Sequence, residues 1–253
     1  MEGKPKNPVK TAQRLFRIIE AIRELDGATM TELADHLGMA NSTVHNYLTT
    51  LESEEYAVVR DGEYQLSLKF YQHGLWSKKK RRVVGVAGPS LRKLAQETGE
   101  LSWLIVEEHG RAVCIEKAGG DQAIQTYGKA GKRTAIHLTA GGKSILANLP
   151  DARIEEIVDR HGLPTETDAS IGTEAELWEE IEQIRERGYA LNQGETVEGI
   201  RAVGAPIIPD DEVVGGISIA GPKYRMIDEY FFSELPELVL GVANEIELRL
   251  IHS

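Results

Sequence analysis

The chain has a single cysteine, Cys114, which excludes an internal disulfide. Its seven histidines are scattered, and with one thiol they form no zinc-binding spacing. Long apolar runs are missing as well: no stretch approaches the roughly 20 residues a membrane span requires. The opening segment MEGKPKNPVK has no apolar core to act as a signal peptide. These absences predict a cytoplasmic protein with no membrane partner, no metal and no cofactor.

Positive charge is also scarce, with a net charge of −11 over 253 residues. A phosphate-binding protein normally carries a basic footprint, so the total argues against nucleic acid. The total hides an asymmetry. Residues 1–82 hold 13 Lys and Arg against 11 Asp and Glu, whereas residues 83–253 hold 16 against 29. Two regions of different electrostatic character are implied. The acidic surplus of the second is the kind found in salt-adapted organisms, archaea among them, where carboxylates keep a surface hydrated; an ordinary acidic soluble domain has the same composition.

What is present begins with helical periodicity. Ala12, Leu15, Phe16, Ile19, Ile22 and Leu25 recur at steps of three and four until Asp26-Gly27 ends the pattern. A second helix is predicted from Thr31, as N-cap, to Gly38, burying Leu33, Ala34 and Leu37. A third runs from about Ser42 to Glu52 with Val44, Tyr47, Leu48 and Leu51 inside. Short helix, tight glycine turn, short helix is a helix-turn-helix. On the third helix Ser42, Thr43, Asn46, Thr49 and Thr50 share the outer face, with His45 at its edge. Small hydrogen-bonding residues there can read base edges in a major groove, Asn46 pairing with adenine. A merely solvated helix face has the same look.

The continuation shifts the balance toward base reading. Tyr56 to Arg60, then Asp61-Gly62, then Glu63 to Leu68 is a hairpin signal, and a hairpin directly after a recognition helix is a wing. Arg60 stands near its tip to meet a phosphate, and Lys4, Lys6 and Lys10 precede the first helix, within reach of the DNA backbone. Phe70 to Trp76 leads into Lys78-Lys79-Lys80-Arg81-Arg82. Such a run is a solvated face, a phosphate track or a C-terminal helix charge. We read 1–69 as the winged domain, 70–82 as a linker helix and 83–253 as a second domain.

In that second region Leu101 to Glu108 and Ala112 to Lys117 form a hairpin lined by Trp103, Ile105, Val113 and Ile115. Helices are predicted over Thr139 to Asn148, Ile154 to Arg160 and from a Thr173/Glu176 capping box to Gly188. Strands follow around Tyr189 to Leu191, Ile200 to Ile208 and Val213 to Ala220. The mixture is α+β with an antiparallel sheet and flanking helices. The GGKS at 141–144 ends like a phosphate loop, but that pattern needs glycine where His137 stands. A glycine-exposed helix start remains, suited to a small anion or to close helix–sheet packing. Gly216-Ile217-Ser218-Ile219-Ala220, with Asp228 and His252, has the chain order of a serine hydrolase. That alternative needs a sharp strand-to-helix turn, whereas the segment reads as a continuous strand. Period two instead puts Gly216, Ser218 and Ala220 on one face, with room for a ligand.

The stretches VKTAQRLFRIIEAI, MTELADHLGMANSTVHNYLTTLE, YQLSLKFYQHG, HLTAGGKSILANLP, IRERGYALNQGE, GIRAVGAPI and VVGGISIAGP resemble the blocks of IclR-type transcriptional regulators along nearly the whole chain. His45 and Asn46 stand where the family usually has a basic residue. The resemblance implies a winged helix-turn-helix followed by a GAF-like effector-binding domain. It further implies a dimer or dimer of dimers, a pseudo-palindromic double-stranded operator, a small organic effector with carboxylates among the candidates, and no enzymatic activity. By position it also implies effector contacts at Ala140, Gly141, Asn192, Ile200, Ala202, Ser218 and Ala220, to which we add Trp103 as an aromatic wall. A DNA-binding protein whose second domain only oligomerises is the remaining rival.

Overall fold

The computed structural model describes residues 7–124 and 128–252, so Lys4 and Lys6 lie outside the described residues. The chain divides into two compact units, Met1–Lys80 and Arg81–Ser253.

In the first unit α1 (Lys10–Glu24) buries Ile18, Ala21 and Ile22. The chain reverses at Asp26 and Gly27, both with positive φ. Helix α2 (Met30–Leu37) is capped by Thr29, not Thr31. Thr29 is extended and Glu32 follows three residues later: the Glu32 amide donates to the Thr29 hydroxyl at 3.3 Å and the Glu32 carboxylate accepts from the Thr29 amide at 2.8 Å. Thr31 already lies inside the helix. Gly38, at φ 62°, closes α2 in the left-handed conformation. Helix α3 (Asn41–Ser53) then packs Val44, Leu48 and Leu51 inward.

Strands β1 (Ala57–Arg60) and β2 (Glu63–Leu66) pair antiparallel around Asp61 and Gly62. Both turn residues have positive φ, 52° and 84°, as the twist-matched two-residue turn requires. An Ala28–Tyr64 bridge ties this wing to the turn before α2. Helix α4 (Lys69–Lys79) completes the unit. Tyr56 pins its first half, edge-on to Phe70 and with its hydroxyl 3.0 Å from His73 Nε2.

The helix expected over 70–82 therefore ends early. Arg81 is extended and opens α5 (Arg82–Thr98). The basic run is not one solvated face: Arg81 bonds Glu108 at 3.0 Å and Arg82 donates to the Leu250 carbonyl at 2.7 Å.

The second unit is built on a six-stranded antiparallel sheet. Its strands are β3 (Leu101–Glu108), β4 (Arg111–Gly119), β5 (Arg133–Ala135), β6 (Ala190–Asn192), β7 (Ile200–Ile207) and β8 (Gly215–Pro222), ordered β5-β4-β3-β8-β7-β6. One face carries α5 and α9 (Leu235–Ile251), packed on Leu104, Val203, Ile217 and Ile219. The other carries α6 (Ala140–Ala147), α7 (Asp151–His161) and α8 (Glu174–Arg187), packed on Trp103, Ile105 and Ala202. Alternation along each strand sends apolar side chains to both layers, as a sheet covered on two sides needs.

A bulge between Leu104 and Ile105 splits the expected lining of the β3–β4 hairpin. Trp103 and Ile105 face α6, whereas Val113 and Ile115 pack toward α5 and α9. The bulge also lets Lys117 and Cys114, three positions apart, oppose Trp103 and Ile105 on one face. Among the described residues no helix is long and apolar enough to cross a membrane.

Candidate functional site

On α3, Ser42, His45, Asn46, Thr49 and Thr50 are exposed and Thr43 is half-buried, while Val44, Leu48 and Leu51 hold the helix to its unit. The Thr50 hydroxyl donates to the Asn46 carbonyl at 2.8 Å, so its hydrogen is already committed. Ala40, the N-cap, has no side-chain oxygen for the first turn. Arg60 ends β1 and Lys10 begins α1, both exposed.

In the second unit, a cavity of about 300 Å³ lies between the sheet and the start of α6. Six of the eight predicted effector residues line it: Trp103, Ala140, Asn192, Ala202, Ser218 and Ala220. Gly141 and Ile200 do not. Gly141 sits behind the wall, where an added Cβ would stand 2.5 Å from Ile105 Cδ1. Ile200, at the start of β7, pairs with Pro222. Gly216, expected beside Ser218, is also excluded: its Cα lies under α6, where a Cβ would meet the Gly141 carbonyl oxygen at 2.7 Å.

The predicted residues divide further by what their polar atoms do. The Asn192 amide donates to the Leu138 carbonyl at 2.7 Å and its oxygen accepts from the amides of Gly194 and Glu195. Asn192 is thus a clasp for the segment after β6. By contrast, the Ser218 hydroxyl makes no hydrogen bond among the described residues, although the residue is only 3% exposed. Sequence reading missed Cys114, Lys129, Lys132, Thr134, Thr196 and Val197, which complete the wall. Lys129 and Lys132 are exposed at the rim and form no ion pair among the described residues. Gly128 rests on Trp103, and the Lys117 ammonium lies 5.1 Å from the ring of Trp103.

The GGKS segment is a packing device. Every residue of α6 is buried, and a Cβ on Gly142 would stand 2.2 Å from the Ile136 carbonyl oxygen. Lys143 is buried too, with Nζ 2.7 Å from Glu195 and 3.2 Å from Glu180. Burial pushes the Glu195 carboxyl above its ordinary range, against the pull of Lys143. His137 is buried, and because a carbonyl only accepts, its Nε2 carries the proton and donates it to the Pro164 carbonyl 3.0 Å away. Desolvation holds its pKa below the ordinary value.

The hydrolase arrangement is not assembled. Ser218 sits inside β8 and opens on the α6 face. Asp228 bonds Arg201, whose guanidinium lies over Phe231 on the opposite face, and His252 ends α9 on that side.

A winged helix-turn-helix with an open recognition face, joined to an α+β unit with a ligand-sized cavity, defines a DNA-binding transcriptional regulator with a C-terminal ligand-binding domain. The chain belongs to the IclR family. Residues 11–61 match the IclR helix-turn-helix domain, and residues 77–248 match the domain described as bacterial transcriptional regulator IclR C-terminal. The probable HTH-type transcriptional regulator ArcR of Halobacterium salinarum is 33% identical, over 98% of this chain and 96% of that protein. The crystal structure of Thermotoga maritima IclR superposes with a TM-score of 0.76 at 28% identity, covering 96% of this chain and all of that one. An IclR homologue from Microbacterium hydrocarbonoxydans, solved with 4-hydroxybenzoate, gives 0.80 at 21% identity over 96% of this chain and 100% of its own.

Proposed function

We propose that this protein is a cytoplasmic, effector-controlled regulator in which a small organic acid in the cavity alters operator affinity. The observation that carries the reading is the cavity's chemistry. Its walls are mostly small or apolar, one buried hydroxyl, that of Ser218, has no protein partner among the described residues, and two lysines stand at the rim of a unit rich in carboxylates. An anion with a compact apolar body meets each of these features, and an oligomerisation domain needs none. The 4-hydroxybenzoate bound by the Microbacterium homologue is such a molecule.

DNA is held by α3 in the major groove, with Ser42, Thr43, His45, Asn46 and Thr49 toward the bases, Thr50 beside them as a hydrogen-bond acceptor only, and the uncapped first turn, Arg60 and Lys10 toward phosphates. The DNA-bound species is a dimer or dimer of dimers on a pseudo-palindromic operator. Helix α4 supports this: it has no buried residue, and Leu68, Tyr71 and Trp76 are 82%, 64% and 64% exposed, an apolar surface suited to a second copy. Half-sites then fall about one helical turn, or a multiple of it, apart.

Cys114 gives a direct test, because the only thiol of the chain lines the cavity. A panel of small acids led by 4-hydroxybenzoate is screened by thermal shift, since a ligand of the folded state raises Tm. A hit slows Cys114 alkylation in wild type. Hits that leave the alkylation rate unchanged place the ligand elsewhere.

A further inference from the structure

Lys143 is an anomaly in its helix: the other seven residues of α6 are small or apolar, and it is 2% exposed. Its ammonium reaches across to Glu195, 7% exposed, on the segment that follows β6, and to Glu180 on α8. Glu180 also holds Arg187 at 3.0 Å, so it keeps a cation without Lys143. The second carboxylate oxygen of Glu195 is buried without a partner among the described residues. Buried ion pairs are poor sources of stability, and apolar residues of similar volume commonly replace both partners at no loss. An incompletely satisfied pair is poorer still.

Its location supplies a reason for it. Thr139 and Ala140, one turn before Lys143, form one cavity wall; Thr196 and Val197, directly after Glu195, form the adjoining one. The other anchors of that segment run elsewhere: Asn192 and Thr196 hold it to the Leu138 carbonyl, Thr167 to the loop at 162–172 through the Gly194 carbonyl, and Ser170 likewise through that of Glu195. Of the side-chain bonds above, the Lys143–Glu195 pair is the one that ties it to the body of α6.

We infer that Lys143 and Glu195 are positioning residues of the ligand site, a buried latch that sets the 193–199 wall against α6 so that occupancy felt by one wall moves the other. This rests on the cavity being the effector site, but the latch itself is tested without a ligand.

The variants are Lys143→Met, Glu195→Gln and the charge-free double variant Lys143→Met/Glu195→Leu, in the full chain. Single variants leave one buried charge exposed to misfolding, so the double variant decides. Melting temperature reads structure, and amide hydrogen exchange reads position. We expect the double variant to keep a Tm close to wild type and wild-type exchange in β7 and β8, with exchange in 193–199 at least tenfold faster. The same variant binds an acid that shifts wild-type Tm at least tenfold more weakly. Unchanged exchange in 193–199, or loss of protection spread evenly over the unit, overturns the latch. If no acid binds wild type while 193–199 still loosens, the effector reading fails and the latch stands.

Discussion

Gly204 of β7 lies so close beneath α6 that a Cβ on it would stand 2.5 Å from both the Ala140 carbonyl carbon and the Gly141 nitrogen. These are backbone atoms, which cannot swing aside. The cavity wall at Ala140 is therefore set by the absence of a side chain on the strand below it. Gly204→Ala is expected to lift α6 from the sheet and to cost about 1–3 kcal/mol, the usual penalty for overpacking. Urea unfolding measures it; a wild-type midpoint would show that the helix has slack.

Glu195 gives a pH prediction. Its folded pKa is raised, so the folded state keeps the proton longer than the unfolded chain does. Stability from that proton is complete below the unfolded value, near 4.5, and is lost as pH rises through the higher folded value. The Tm of wild type minus that of Glu195→Gln should fall as pH is raised from that point and then level off. His137 titrates in both proteins and drops out of the difference. A difference independent of pH contradicts the burial account.

Much of the first unit is legible because its signals are local. Asp61-Gly62 dictates a turn with two positive φ values and Gly38 a left-handed cap; in the second unit, Thr173 with Glu176 dictates a capping box in the same way, and all three are present in the structure. Where two threonines compete, at 29 and 31, only the partner three residues on separates them, and Glu32 answers to Thr29. Helix α5 was not legible: Gly85, Gly88 and Pro89 speak against a helix, and it forms because Val83, Ala87, Leu91 and Leu94 reach the sheet. In the cavity, small residues on alternating strand positions mark Ala202, Ser218 and Ala220, whereas Lys129 and Lys132 sit in a polar loop that no local pattern distinguishes. Lys143 did leave a trace, as the one charge in an apolar helix, but its partners are 37 and 52 residues away.

The capping box at Thr29 orients α2 behind the recognition helix. Thr29→Ala removes one N-cap acceptor and should cost about 1 kcal/mol of stability in the N-terminal unit. Local hydrogen exchange in α2 and α3 detects it, with exchange in the C-terminal sheet unaffected.

Asn46 and Arg60 should separate sequence reading from anchoring. Asn46→Ala is expected to lose about 1–3 kcal/mol of discrimination between the operator and base-substituted variants. Arg60→Ala should weaken binding to all of them alike and reduce the salt dependence of affinity. Unchanged operator ratios for Asn46→Ala would remove it from base recognition.

Occupancy of the cavity is expected to set DNA affinity. The direct measurement is fluorescence anisotropy of a DNA fragment from upstream of the gene, titrated with wild type and Ser218→Ala, with and without an acid that raises wild-type Tm. Equal Kd values are expected for the two proteins without the acid, with a shifted Kd for wild type at saturating acid and a shift that requires more acid in Ser218→Ala. An acid that stabilises wild type and protects Cys114 yet leaves the DNA Kd unchanged would contradict that expectation.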